Sequence, residues 1–158
     1  MDNPNYLLTL RKVSNNDKDI LFNWINDPDV RNWSFNKDPI TIDEHKIWFN
    51  KKYKDSNVIM WIFEKDHLPA GLVRLEKDSN EVVLNYLIAP HSRGKGLASK
   101  MLKMAMKEIN NYWQNSKVIA YTLPENVASI KSLEKAGFSL KSISDQKKCY
   151  FLRTVNNS

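Results

Sequence analysis

A single cysteine, Cys149, stands among the 158 residues, so an internal disulfide is excluded and the composition suits a reducing compartment. The longest apolar runs, "VIMWIF" and "YLIA", fall far short of a bilayer span. The opening "MDNPNYLLTL" lacks both the basic flank and the long apolar stretch of a secretory leader. A cytoplasmic protein with no membrane partner is the expectation. No run of four or more consecutive Lys/Arg and no zinc-finger spacing occurs, which argues against nucleic acid as a partner and suggests no metal. Glycine is scarce as well: the chain has four, and two of them stand two residues apart in "IAPHSRGKGLASKML" (88–102). Glycine costs backbone entropy, so such a pair belongs where the chain must take a positive φ or let something approach its main chain closely.

The length fits one domain over residues 1–158, able to bury roughly 70% of the surface that the unfolded chain exposes. Twenty-four Lys and Arg against 18 Asp and Glu leave a net charge of +6. That surplus favours anionic partners, and a merely basic surface explains it equally well.

Hydrophobic periodicity divides the chain into strands and helices in the order βααβββαβαββ. "YLLTLRKV" (6–13) reads as a strand, and Ser14 caps a helix whose apolar face holds Ile20, Leu21, Trp24 and Ile25. Two Asp-Pro pairs and high polarity make 27–39 a loop, one rich in aromatics. Thr41 and Glu44 have capping-box spacing ahead of a second helix with Ile42, His45, Trp48, Phe49 and Tyr53 on one face. Three strands follow at 58–66, 70–77 and 81–90, expected as an antiparallel meander. Leu97, Met101, Leu102, Ala105, Ile109 and Tyr112 then form the stripe of a long helix, its methionines filling the core. "KVIAYTL" is a strand, and 127–137 is a short helix capped by Asn126 and closed at Gly137. "FSLKSISD" and "KKCYFLRTV" are the last strands.

Pro90, the turn "HSRGKG" and a helix opening at Gly96 form a strand, glycine turn and helix. The unpaired N–H groups and dipole of a helix N-terminus make an anion site, to which Arg93 and Lys95 add charge. It is neither a P-loop, since GxxxxGK(S/T) is absent, nor a dinucleotide fingerprint, since Ser99 stands where the third glycine would fall. "RGKGLA" (93–98) resembles the Q/R-x-x-G-x-G/A motif with which the GNAT superfamily of N-acetyltransferases cradles the pyrophosphate of acetyl-CoA. "NVASIKSLEKAGF" (126–138) is similar to that superfamily's second motif at Asn126, Ser129, Gly137 and Phe138, one strand further on.

The resemblance implies an α/β (α+β) GNAT fold: a mixed, mostly antiparallel sheet of about seven strands with four helices, its fourth and fifth strands splayed around acetyl-CoA. It implies main-chain pairing of Leu87 and Ile88 with the pantetheine arm. It implies a diphosphate held by the N–H groups of Arg93, Gly94, Lys95, Gly96, Leu97 and Ala98, and contact of Asn126 with the arm. Acetyl-CoA is then the cosubstrate, without a metal. Residues 21–49 resemble nucleotide-amino-sugar N-acetyltransferases of the pseudaminic acid pathway type, through Asn23, Trp24, Asn26, Pro28 and the pair Glu44 and His45; Ile25 replaces a frequent arginine. The implied acceptor is a small-molecule amine on a nucleotide sugar.

On that reading Arg31 is a phosphate clamp, and Trp33 and Phe35 stack on a base or sugar face, or merely pack a lid. His45 and Asn85 are the catalytic candidates on the acceptor side, though a packed histidine is the plainer reading of His45. His67 and His91 fall in turns and read as solvated. Transfer needs a neutral amine near the thioester carbonyl, with donors waiting for the oxyanion. An amine with pKa ~10.4 is neutral about once in a thousand at pH 7, whereas sugar oxygens lower that pKa and ask less of a base. The family's acidic tyrosine is replaced here by Leu133, which leaves Tyr121, Tyr86, Tyr150 or no acid at all, since a thiol of pKa ~8.5 leaves readily. Two other classes stay open: a ribosomal-protein or polyamine acetyltransferase, and an inactive CoA-binding module. Monomer and homodimer are both compatible.

Overall fold

The computed structural model describes residues 5–144 and 146–153; Asp145 and the part of the last expected strand beyond Arg153 lie outside the described residues. Seven strands form one sheet in the order β1-β2-β3-β4-β5-β7-β6. They are β1 (Leu8–Lys12), β2 (Val58–Lys65), β3 (Leu68–Asp78), β4 (Glu81–Ile88), β5 (Lys117–Thr122), β6 (Ser139–Ile143) and β7 (Lys148–Arg153). Every neighbouring pair is antiparallel except β4 with β5, so the meander and the mixed character expected from the pattern are both present.

The helices are α1 (Lys18–Ile25), α2 (Pro28–Asn32), α3 (Ile42–Lys54), α4 (Leu97–Glu108) and α5 (Val127–Lys135). Four were expected, and α2 is the addition. Asp27 caps it by accepting from the Asp29 N–H, and Pro28 sits at the first position, where its missing N–H is no loss. The Asp-Pro pair that looked like a loop marker is therefore a helix start. The other caps follow the sequence: Thr41 and Glu44 form their capping box on α3, and Asn126 Oδ1 accepts from Ser129 N–H at 3.2 Å on α5. At the far end of α5 the Phe138 N–H returns to the Leu133 carbonyl at 2.9 Å, closing the helix at Gly137.

Strand alternation splits the core into two layers. On one face α4 and α5 cover Trp61, Phe63, Val73, Leu75, Val82 and Leu84; on the other α1 and α3 cover Met60, Ile62 and Leu72. Gly71 sets how closely α4 can approach. A Cβ there would lie 2.8 Å from the Leu87 carbonyl oxygen and 3.0 Å from Met101 Sδ, so only glycine lets the helix seat against β3 and β4. Arg11 ties β1 to its surroundings by pairing with Asp17 at 2.8 Å and Glu64 at 3.1 Å. Among the described residues no helix is long and apolar enough to cross a membrane.

Candidate active site

The parallel pairing of β4 with β5 ends at Leu84 and Ala120, and beyond that point no strand ladder joins their facing edges among the described residues. The Ala89 N–H donates to the Ala70 carbonyl, so by strand alternation the main-chain groups of Leu87 and Ala89 face β3. Those of Tyr86 and Ile88 face the gap. Of the two residues expected to offer their backbone to a ligand, Ile88 turns its main-chain groups to the gap, and Leu87 has its carbonyl against Gly71 instead.

Around this gap runs one continuous cleft of about 1110 Å³. Its one half is lined by Ile88, Arg93, Gly94, Gly96, Leu97, Ala98, Asn126, Ser129, Lys131 and Lys135. Gly94 and Gly96 take φ of +73° and +70°, in the left-handed region, and a Cβ on either would meet nothing within 4 Å. Among the described residues the N–H groups of Gly94, Lys95 and Gly96 reach no main-chain carbonyl, and Gly96 offers α4 no side-chain cap. An open cradle of free donors at a helix N-terminus is what a diphosphate requires.

The side chains of that turn are turned elsewhere. Arg93 Nη1 pairs with Asp27 at 2.8 Å and Asp29 at 3.1 Å, fastening α2 to the glycine turn. Lys95 does not line the cleft, and its Nζ donates to the His91 carbonyl at 3.2 Å. The sequence reading missed Lys131 and Lys135, which bring cations to this half from α5 and which carry no motif of their own.

The other half is lined by Arg31, Trp33, Phe35, Glu44, His45, Trp48, Arg74 and Asn85. Trp33 and Phe35 are exposed there, as a lid would have them. Arg31 is not free to clamp a phosphate. Its Nε donates to the Ile25 carbonyl at 2.7 Å, Nη1 to those of Asn36 and Asp38 at 2.8 and 3.3 Å, and Nη2 to Ser34 Oγ at 3.3 Å. A planar fork of donors suits such a set of oxygens, and here it organises the 27–39 segment itself.

His45 is fully buried. Its Nε2 is 2.8 Å from the Lys18 carbonyl, which makes that nitrogen the protonated one, and its ring packs among Phe22, Trp48 and Phe49. The plainer reading made from the sequence fits this geometry: the imidazole joins α1 to α3 through Nε2, and its fully buried ring stands in the wall of the cleft with Nδ1 unpartnered. His45→Ala is expected to lower stability by about 2–4 kcal/mol, as emptying a buried site does, while kcat per folded molecule holds. Urea unfolding run beside activity checks this, and a loss of kcat at unchanged stability would restore the catalytic role.

Asn85 is exposed on the cleft floor, directly across the β3–β4 pairing from Arg74. Arg74 is the residue that sequence reasoning missed. In "AGLVRLEK" it alternates with apolar residues like any solvent-facing strand position, and only the folding of α3 over the sheet encloses it. Its guanidinium lies 5.1 Å from the Trp48 ring centroid and its Nε 3.3 Å from Glu76 Oε2, while Lys52 holds the other Glu76 oxygen. The Arg74 Nε is buried without a hydrogen bond, and neither terminal nitrogen donates to a described residue. Burial lowers its pKa and Glu76 opposes that shift, so the group stays a cation with donors to spare.

The tyrosines divide sharply. Tyr150 is 1% exposed in the core and does not line the cleft, and Leu133 is fully buried. Tyr121 lines the cleft with Lys147 Nζ 4.3 Å over its ring. Tyr86 lines it too, with its hydroxyl on Ser129 Oγ. No group of three or more His, Cys, Asp or Glu among the described residues is placed to hold a metal.

A glycine cradle, a splayed parallel pair and a through-going cleft are now in place, and the acetyltransferase (GNAT) domain family matches residues 8–139. The chain belongs to that family. As a GNAT enzyme it is an acetyl-CoA-dependent N-acetyltransferase, and the cradle fits that cosubstrate. No curated protein matches the sequence significantly. Among solved structures, spermidine N-acetyltransferase from Vibrio cholerae, in complex with CoA and spermine, is 21% identical with a TM-score of 0.80, over 93% of this chain and 95% of that one. A domain from Methanocaldococcus jannaschii is 21% identical with a TM-score of 0.82, over 94% of this chain and 99% of its own. The aminoglycoside acetyltransferase AAC(6')-Ib, in complex with ribostamycin and coenzyme A, is 20% identical with a TM-score of 0.78, over 93% of each chain. At such identities these structures show a shared fold.

Proposed function

We propose that the acceptor is the amino group of a nucleotide-linked amino sugar. Arg74 carries the reading: a partly buried guanidinium, with Nε ion-paired to a Glu76 that Lys52 shares and with its terminal nitrogens unclaimed, lines the acceptor half of the cleft. A polycation such as spermidine or an aminoglycoside would meet that charge in a low-dielectric wall. The carboxylates nearby give little in return, since Asp29 is paired with Arg93 and Glu44 caps α3. A nucleotide diphosphate meets the opposite situation, and the aromatic lid of Trp33 and Phe35 suits a base or sugar face.

The roles of the remaining residues follow from their places. The N–H groups of residues 94–98 hold the diphosphate of acetyl-CoA, that of Arg93 being spent on the Pro90 carbonyl. Asn126, whose Oδ1 is engaged as a helix cap, keeps its amide N–H₂ for the pantetheine arm. The main-chain N–H groups of Tyr86 and Ile88, facing the gap, are the donors for the thioester oxygen. Asn85 orients the amine or a sugar hydroxyl. An amine with its pKa lowered by ring oxygens gives up its proton to water, so no side-chain base is required. His45 keeps α3, and with it Trp48, over Arg74.

A screen for CoA release over UDP- and dTDP-linked amino sugars, spermidine, kanamycin and a basic peptide tests the proposal. Turnover confined to the nucleotide sugars is expected, with KM rising with ionic strength. Robust acetylation of spermidine or kanamycin without turnover of any nucleotide sugar would overturn it.

A further inference from the structure

Acetyl transfer ends with a thiolate leaving, and the position at which this superfamily is expected to carry an acidic tyrosine holds Leu133, a fully buried side chain of the main core. Another tyrosine reaches the same helix face from the sheet. Tyr86 lies on β4 two residues beyond the last β4–β5 pair, and its side chain points to the α4/α5 layer. Its hydroxyl meets Ser129 Oγ and lies 3.5 Å from the Ser129 carbonyl. Ser129 and Leu133 are four residues apart on α5, hence on one face and one turn from each other. The hydroxyl is thus held a single helical turn from where the missing one would stand, at the edge of the gap that its own main-chain groups face. The alternatives fail on place: Tyr150 is sealed in the core, and Tyr121, the next strand residue after the last pair, alternates away from buried Ala120 and thus from the α4/α5 layer.

We propose that Tyr86 is the general acid of this enzyme and that the Ser129 hydroxyl returns its proton. The inference rests on the acetyltransferase activity and is independent of which amine is acetylated. The amine nitrogen forms its bond to the thioester carbon and the carbonyl π electrons move to oxygen. As they return, the C–S bond breaks and its electron pair goes to sulfur, which takes the proton from Tyr86 Oη. The Ser129 Oγ–H reprotonates the phenolate and is itself replenished from water, while the amine loses one proton to water. One amide and one thiol are formed from one amine and one thioester.

Burial raises the Tyr86 pKa to about 12, against the lowering effect of the Ser129 hydrogen bond, so the phenol is protonated throughout the working range. The same desolvation raises a thiol lodged in the gap, which narrows the mismatch between acid and leaving group. A general acid is needed in its protonated form, so activity should fall only above the pKa of Tyr86.

The test uses the full chain with acetyl-CoA and a UDP-linked amino sugar, or with spermidine or kanamycin should that sugar not be turned over, so failure of the acceptor reading leaves it intact. Tyr86→Phe is expected to lower kcat about 100-fold, the low end of the range for general acids because thiols leave well, with the acetyl-CoA KM and melting temperature close to those of the parent. Ser129→Ala should show a smaller loss of the same kind. Site-specific fluorotyrosine at position 86 keeps the shape and lowers the phenol pKa, so the alkaline limb of the kcat profile should move to lower pH. Unchanged kcat in Tyr86→Phe, or a fluorotyrosine enzyme that keeps the parent profile, overturns the proposal. A purely structural tyrosine would change melting temperature and leave that limb in place.

Discussion

Gly96→Asp is expected to abolish acetyl-CoA binding while leaving the protein folded. The backbone there has φ +70° and ψ 19°, a region that most residues avoid but aspartate tolerates better than most. A Cβ would meet nothing within 4 Å, so no clash disturbs the unliganded protein. Aspartate is also a favoured residue at a helix N-cap, where its carboxylate accepts from the first N–H groups and lies at the positive end of the dipole. The substitution therefore satisfies the same donors that the diphosphate needs and places a like charge among them. Losing two charge-assisted hydrogen bonds of about 1.5–3 kcal/mol each means a loss of at least a hundredfold in affinity, before repulsion is counted. Calorimetry with acetyl-CoA, beside a thermal melt, gives the answer. An unchanged Kd would remove the turn at 93–98 from the cosubstrate site, and a collapsed melt would mean that Gly96 serves the fold instead.

The half of the cleft that we assign to the cosubstrate was legible in the sequence because its chemistry is main-chain chemistry. Positive φ at Gly94 and Gly96, a proline before the turn and an amphipathic run after it leave marks in residue type. The acceptor half is built from side chains brought together by packing, and residue type alone misassigns several of them. Arg31 looked like a phosphate clamp, yet its donors are taken up by the carbonyls of the segment that it organises. His45 was placed on the correct helix face by periodicity, which says nothing of whether that face meets ligand or core. Arg74 left no mark at all, because a strand alternates in the same way whether its polar side meets water or a helix. The short helix α2 was hidden for another reason: Asp-Pro serves both turns and helix starts, and only the Asp27 cap distinguishes them.

Arg74→Ala decides between acceptor classes by the sign of its effect. Lys52 still pairs with Glu76 in the variant, so no carboxylate is left without a partner, and the lost stacking on Trp48 contributes only about 0.5–1 kcal/mol to the fold. If the guanidinium binds an anionic group of a nucleotide sugar, its removal should raise acceptor KM by roughly 10- to 150-fold, the equivalent of a hydrogen bond to a charged group at about 1.5–3 kcal/mol. The acetyl-CoA KM should stay put, since Arg74 is remote from the glycine turn along the sheet. Arg74→Lys should recover only part of the loss, because an ammonium keeps the charge but not the fork that binds two oxygens at once. The ionic-strength dependence of acceptor KM should flatten in the alanine variant, as one opposed charge pair has gone. For a polycationic acceptor the same guanidinium is a repelling charge, and Arg74→Ala should then lower KM. A fall in KM would therefore reverse the acceptor assignment while leaving the enzyme an acetyltransferase.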